Sequence, residues 1–326
     1  MALSDKPRIG VLAGDPSGIG PEVAARLLAD AAAMQLAEPV LIGDAAVFEA
    51  GAKTAGVPLA FITSRELLPV PLAIPPPVAQ VSAAAGTFTL ATLRAAVDAF
   101  ESGRIAALVF APLNKQAMKV AGLAEEDEMH YLAGRLGFHG LCSEINAADK
   151  LWTTRVTSHV PLRAVADLIT APGVCDAARL LARLMGDHLG RAPRLAVAGL
   201  NPHAGEGGLM GTEEVEIIGP AVRQLQAEGL DVTGPLPADT LFIAARRGDF
   251  DGVVTMYHDQ GQIATKLLGF ERGVTIHAGL PMITTTPAHG TAFDIAGAGK
   301  ANPGPILAAW SLAACLVQRG LDHSCR

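Results

Sequence analysis

Aromatic side chains are scarce. Phe, Tyr and Trp make up 4% of the 326 residues, too few to build a stacking platform for nucleic-acid bases. Charge is scarce too, at 17%, and it leans acidic, with a formal net charge of -7. A non-specific nucleic-acid binder needs a basic face, so that class is disfavoured. No apolar run approaches the ~20 residues that a membrane span requires. The opening "MALSDKPRIG" lacks a basic stretch followed by an apolar core, so no secretion signal is expected. The four cysteines, Cys142, Cys175, Cys315 and Cys325, are scattered without a C-x-x-C pair. Neither a zinc knuckle nor a disulfide framework is indicated. These absences together predict a reduced, cytoplasmic protein with no nucleic-acid or membrane partner.

What the chain has in quantity is apolar surface: 50% hydrophobic residues and a mean hydropathy of +0.34. The length exceeds one comfortable core and predicts two domains. The apolar excess predicts extensive burial, including burial in a subunit interface. Short β-forming runs alternate with helical periodicity. "RIGVLAG" (Arg8–Gly14) reads as a strand, "PEVAARLLADAAAMQ" as a helix with Pro21 in its first turn, and "PVLIGD" (Pro39–Asp44) as a strand. Residues 61–81 are proline-rich and read as an irregular surface connection. "GTFTLATLRAAVDAFESG" is a helix and "AALVFAP" a strand. The alternation resumes through "LWTTRVTSH", "CDAARLLARLMGDHLG", "RLAVAGLNP", "EEVEIIGPAVRQLQAEG" and "FDGVVTMYH". It ends in "NPGPILAAWSLAACLVQRG", a helix with Gly320 as its expected stop. This pattern predicts an α/β fold with largely parallel sheets.

In open α/β sheets, ligands bind beyond the carboxyl ends of the strands. Three expected strands run into a histidine: "TTRVTSH" reaches His159, "LAVAGLNPH" reaches His203 and "GVVTMYH" reaches His258. A lone histidine is more often a satisfied core or loop residue, but three at equivalent places suit a metal site. Imidazole is the usual neutral ligand of divalent ions, and three protein ligands with one open position describe a catalytic centre. His130, His139, His188, His277 and His323 read as helix or surface residues.

Other loops carry candidates whose bland reading stays open. "AGDPSGIGPE" (Ala13–Glu22) could hold an anion at a helix start or be a tight turn. It matches neither G-x-G-x-x-G nor a P-loop. "FAPLNKQAM" sets Asn114 and Lys115 after a strand, where Lys115 could meet a substrate carboxylate, move a proton, or be solvated. "GPLPADTLF" places Asp239 in a proline-rich loop, and Lys266 follows one loop after His258. Each could act in proton transfer or be a surface charge.

Seven segments, "GDPSGIGPE", "APLNKQAM", "TSHVPLRAVADLIT", "GLNPHAGEGG", "GPLPADTLF", "MYHDQG" and "HGTAFDIAGAGKA", follow one another in order. Together they resemble the 4-hydroxythreonine-4-phosphate dehydrogenase family of vitamin B6 biosynthesis, over nearly the whole chain. "PAHGTAFDIAGAGKANP" also resembles the cofactor loop of isopropylmalate and isocitrate dehydrogenases. The resemblance implies a two-domain α/β fold of that type, with the active site in the cleft between domains and at a homodimer interface. The boundaries it suggests are 1–118 plus 288–326 for the cofactor side and 119–287 for the metal and dimer side. It implies a divalent metal, zinc before magnesium, manganese or cobalt, held by His159, His203 and a partner-donated His258. Asp259 and Gln260 would support His258, and Gly261 would let the backbone pass close by. The reaction implied is oxidation by NAD(P)+ of an alcohol β to a carboxylate, followed by loss of CO2. NAD is preferred because no basic cluster awaits a 2′-phosphate. His289, Gly290, Thr291, Asp294 and Asn302 would face the cofactor, and Asp15 and Asn201 substrate or cofactor. Asp239, Lys266 and Lys115 are the candidate catalytic groups.

The chain departs from the family where a phosphate ester would be gripped. Glu128 and Met129 stand at a His-Thr pair, Thr275 at an Asn and Thr284 at an Arg, while Arg272 remains nearby. A dianion needs cations or donors, so these changes predict an altered carboxylate substrate. One family branch oxidises a terephthalate cis-dihydrodiol, another four-carbon sugar-acid phosphates. Two rival classes are a metal-dependent hydrolase, which would not need the cofactor loop, and a non-catalytic ligand-binding paralogue.

Overall fold

The computed structural model describes the backbone of residues 6–148 and 151–324, and their side chains apart from 270 and 321–324. Cys325 and the side chain of His323 lie outside the described residues. Among the described residues, eleven strands run in chain order as β1 (Arg8–Leu12), β2 (Glu38–Gly43), β3 (Glu66–Pro69), β4 (Ala107–Phe110), β5 (Ser143–Ala148), β6 (Leu151–Arg155), β7 (Leu195–Ala198), β8 (Val232–Leu236), β9 (Gly252–Thr255), β10 (Val274–Ala278) and β11 (Ile283–Pro287). The chain divides into two compact units, Met1–Cys142 with Leu280–Arg326, and Ser143–Gly279.

The first unit carries a wholly parallel sheet in the order β3-β2-β1-β4-β11. Its inner strands are continuous apolar runs because helices cover both faces. Leu12, Val40, Ile42, Leu108 and Phe110 pack with Leu93 and Val97 of the helix Ala83–Glu101 in one core cluster. The helix Gly20–Ala29 opens with Pro21, where a missing N–H costs nothing. It is shorter than its periodicity predicts. Asp30 leaves helical geometry (ψ 112°) and its carboxylate accepts the Ala33 N–H at 2.8 Å, starting a separate turn, Ala33–Leu36. The proline-rich connection contains an unforeseen strand. β3 pairs with β2 only, so it is a half-exposed edge that needs no apolar run. Gly320 does not stop the last helix, which runs Gly304–Ser324.

The second unit carries a mixed sheet in the order β10-β5-β6-β9-β7-β8. β10, β5 and β6 pair antiparallel; β6, β9, β7 and β8 pair parallel. Its core joins Leu151, Ala196, Ala198 and Val253 to Leu241 and Ala245 of the helix Ala238–Arg247. β5 and its antiparallel neighbour β10 escape a reading keyed to βα alternation. His277 lies in β10 and is buried, 2% exposed, not on a surface.

Candidate functional site

The three histidines follow the parallel strands of the second unit but do not end them. β6 stops at Arg155, β7 at Ala198 and β9 at Thr255. His159 and His203 therefore sit on loops, and His258 opens the helix His258–Gly269. His159 and His203 are exposed, with left-handed backbones at φ 47° and φ 52°. Non-glycine residues adopt that region at a cost, and it recurs where a side chain must be aimed.

The loops are bound to one another. Past the ends of β6 and β9, Val156 N–H donates to the Thr255 carbonyl at 2.8 Å and Thr157 N–H to the Met256 carbonyl at 3.1 Å. Thr157 Oγ1 donates to the same Met256 carbonyl at 2.8 Å. Arg155 is buried, donates through Nε to Ser158 Oγ at 2.9 Å and pairs with Glu144. This network brings the His159 and His258 rings to 5.7 Å between centroids. Asp259 Oδ1 lies 2.7 Å from His258 Nδ1, the carboxylate backing that fixes the tautomer of a ligating imidazole and leaves Nε2 for a ligand. Gln260 Oε1 accepts the Met256 N–H at 2.7 Å. A Cβ on Gly261 would come within 3.0 Å of Thr255 Oγ1, so the helix start sits hard against β9.

His203 begins a run of left-handed residues from 203 to 207. Among the described residues, the ligand atoms of His159, His203 and His258 do not gather within 4.8 Å of one another. Within one chain the trio is thus partly assembled. The donor set still suits a divalent ion: neutral imidazoles, exposed or half-exposed, one of them already backed by a carboxylate.

Two expectations about the proton-transfer candidates change. Asp239 is not in a loop but in the first turn of the helix Ala238–Arg247, exposed. That helix packs against both the Pro202–Gly208 segment and the His258–Gly269 helix. Lys266 is not a loop beyond His258. It stands on the same helix, exposed, two turns along or about 12 Å of rise. Thr275 Oγ1 donates to Asn146 Oδ1 at 3.1 Å. Arg272 is exposed in a short turn after that helix.

The remaining candidates belong to the first unit. Asn114 caps the helix Lys115–Val120, its Oδ1 accepting the Ala117 N–H at 2.9 Å. Lys115 Nζ lies 3.9 Å from Asp127 and 3.8 Å from Glu128, both buried. Met129 is buried beside them. Burial raises the Asp127 carboxyl, but the N–H and ring of His130 and the Lys115 charge outweigh it, so its pKa falls below the ordinary value. Thr284 is fully buried in β11, its hydroxyl donating to the Met282 carbonyl at 3.0 Å.

Asp15 is fully buried in the strand-to-helix loop. Its Oδ1 accepts the Ser17 N–H at 2.7 Å, yet burial outweighs that bond and pushes its pKa up. The loop is docked on the "HGTAFD" segment: Ile19 N–H donates to the Thr291 carbonyl at 3.0 Å, and a Cβ on Gly18 would meet Thr291 at 2.8 Å. Ala292 adopts φ 43°, Asp294 lies in the turn Phe293–Ile295, and Asn302 Oδ1 accepts the Gly304 N–H at 2.8 Å. His289 Nδ1 lies 3.0 Å from the Gly290 carbonyl, and nothing stands where a Gly290 Cβ would point.

The sequence reading passed over two residues here, Arg155 and Glu214. Glu214 Oε1 accepts the N–H groups of Leu200 and Asn201, both at 2.7 Å, and Oε2 accepts Asn201 Nδ2 at 3.0 Å. A charged residue inside "LWTTRVTSH" and an acidic pair before "VEIIGP" were the available signals.

Comparison with known proteins shows the family. A 4-hydroxythreonine-4-phosphate dehydrogenase of Chromobacterium violaceum is 42% identical over 325 residues, spanning 95% of this chain and 97% of that one. The crystal structure of a 4-hydroxythreonine-4-phosphate dehydrogenase from Klebsiella pneumoniae superposes with a TM-score of 0.83 at 36% identity, covering 97% of this chain and 100% of that one. A terephthalate 1,2-cis-dihydrodiol dehydrogenase from Burkholderia xenovorans superposes with a TM-score of 0.65 at 30% identity, covering 95% and 98%. The family model for pyridoxal phosphate biosynthetic protein PdxA matches residues 35–313. The chain belongs to the PdxA family.

Proposed function

We propose that this protein is a metal-dependent, NAD-linked dehydrogenase of the 4-hydroxythreonine-4-phosphate dehydrogenase type. It oxidises a secondary alcohol β to a carboxylate, and the β-keto acid formed then loses CO2. The observation that carries the reading is the placement of His159, His203 and His258 just past the ends of the neighbouring parallel strands β6, β7 and β9, with Asp259 Oδ1 2.7 Å from His258 Nδ1. It stands in a chain whose relatives are named dehydrogenases.

His159, His203 and His258 would hold the ion, zinc by ligand chemistry. A bound divalent ion supplies Lewis acidity at the alcohol oxygen and the nascent carbonyl. Asp259 holds the His258 ring, and Asp239 and Lys266 are the groups proposed to bind substrate or carry its protons, with Lys115 a further contributor. A bound nicotinamide would serve as acceptor for the hydride of the carbinol carbon, and the chain's own groups would take the hydroxyl proton. The carboxylate then leaves as CO2, and its bonding pair stays as an enolate that takes up a proton. The cofactor reading rests on the His289–Asp294 loop and Asn302. Arg26, whose guanidinium reaches this region, is already engaged by Glu22 and by the Gly299 carbonyl at 2.8 Å. Arg26 is thereby not free for a 2′-phosphate, which supports NAD over NADP.

The partner supplying His258 is a second copy of the chain. One feature supports this: the exposed Ile263 and Leu267, at 60% and 82%, on the His258 helix. They are one turn apart on one face, and such apolar exposure calls for cover.

A second reading, a carboxylate substrate without phosphate, is favoured by Lys115. Its charge is flanked by Asp127 and Glu128 and so is not free for a dianion. The test is NAD+ reduction by metal-loaded protein with CO2 trapped. It compares 4-phosphohydroxythreonine, a four-carbon sugar-acid phosphate and a dihydrodiol carboxylate. Turnover of any with CO2 release supports the reaction class. Turnover only of the unphosphorylated acid supports the second reading. No NADH with any substrate, or full activity after chelation, overturns the proposal.

A further inference from the structure

We propose that Glu214 is the positioning residue of the His203 loop, and that its carboxylate sets the metal affinity of the site without touching the metal. The inference rests on the reading of His203 as a ligand.

The loop after β7 has a costly backbone. His203, Ala204 and Glu206, none of them glycine, have left-handed backbones at φ 52°, 52° and 44°. Three such residues within four positions are costly and persist only when their surroundings fix them. Few side chains of the loop itself are buried. The constraint on Leu200 and Asn201 comes from Glu214, 3% exposed. Its carboxylate gathers the Leu200 and Asn201 N–H groups and Asn201 Nδ2, three donors on two oxygens. Bonds from N–H groups to an ionised acceptor are about twice as strong as neutral ones. The loop also closes around that carboxylate. A Cβ on Gly205 would come within 2.6 Å of Glu214 Oε2, and one on Gly211 within 2.4 Å of Asn201 Nδ2. Glycine is therefore required at both places.

Helix geometry aims the carboxylate. Glu214 opens a π-helical turn, Glu214–Ile218, before the α-helix Gly219–Ala227. Such turns insert an extra residue, rotate the preceding side chains and recur at functional sites. A Cβ on Gly219 would meet the Glu214 carbonyl at 2.8 Å, so glycine permits the widened turn. Glu216, on the same turn, faces solvent.

The test uses the full-length protein with Glu214→Gln, Glu214→Ala and the exposed control Glu216→Gln. Each is measured metal-free for thermal stability and for hydrogen exchange of a peptide covering residues 199–211. Each is then titrated with Co2+, whose absorption spectrum reports the ligand set. Glu214→Gln keeps the shape but turns an N–H2 toward Asn201 Nδ2, and Glu214→Ala leaves two buried N–H groups bare. The expected result is faster exchange in the loop, a 10- to 100-fold weaker Co2+ affinity, Ala worse than Gln, and Glu216→Gln unchanged. Unaltered exchange and affinity in both Glu214 variants overturn the inference. A lower melting temperature with unaltered affinity also overturns it, because that marks a purely structural carboxylate. If wild-type protein itself takes up no Co2+, the metal reading fails at its root and this inference falls with it.

Discussion

Gln260 Nε2 donates to the Gly199 carbonyl at 2.8 Å, across 61 residues of sequence. Gly199 starts the loop to His203, and Gln260 stands two residues after His258. The other end of the same amide accepts the Met256 N–H at 2.7 Å, and the Met256 carbonyl accepts from Thr157 on the His159 loop. One primary amide therefore joins the three histidine loops. A carboxamide suits this place because it must donate on one side and accept on the other.

Gln260→Ala should leave the buried Met256 N–H and the Gly199 carbonyl without partners. The expected loss is about 1–3 kcal/mol for each buried group left unsatisfied. Urea unfolding of metal-free protein measures it. Unfolding free energies equal to wild type would mean that the loops are held by other contacts.

Shared histidines make a quantitative forecast. His159→Ala and His258→Ala homodimers should each be inactive. Subunits re-associated from an equal mixture should regain about a quarter of wild-type activity, since half the dimers are hybrids and each hybrid has one intact site. No recovery, with hybrid formation confirmed by native mass spectrometry, places His159 and His258 of one site in the same chain.

Gly86→Ala tests two opposed effects in the helix Ala83–Glu101. Helix propensity favours alanine by about 1 kcal/mol. Sterics oppose it, since a Cβ there would lie 2.0 Å from the Ala117 carbonyl on the helix that begins at Lys115. Backbone cannot yield as a flexible side chain can, so overpacking, typically about 1–3 kcal/mol, should win. A melting temperature at or above wild type would contradict this packing.

Two carboxylates should give pH dependences of opposite sign. Asp251 is held well below the ordinary range by Arg191 above all, with Arg194 helping against the effect of burial. A depressed folded pKa means stabilisation that is present above the unfolded value, about 3.9, and lost as pH falls. Asp251→Asn should therefore be less stable than wild type at neutral pH and converge with it in acid. Asp15 is raised by burial, so its charged form is a burden that grows as pH rises above the unfolded value. Asp15→Asn should be more stable than wild type at neutral pH and equal to it near pH 3, where the wild-type carboxyl is neutral. Thermal melts across pH check both signs.

The α/β class, the strands of the first unit's centre and the candidate histidines were all legible in the sequence. Continuous apolar runs can only be buried strands or helices, and a histidine stands out at the end of such a run. The edge strand β3 and the antiparallel β5 and β10 were not legible, because their stabilisation comes from partners distant in sequence. The helical placement of Asp239 escaped for a related reason: prolines before a helix look the same as prolines in a loop. Sequence alone determined which side chains could ligate, since donor chemistry belongs to the residue. Only the tertiary structure decided how they are held. The left-handed turn at His203, the carboxylate of Glu214 that holds its loop and the amide of Gln260 between loops depend on contacts across 13 to 61 residues. Such contacts have no local periodicity for a sequence to display.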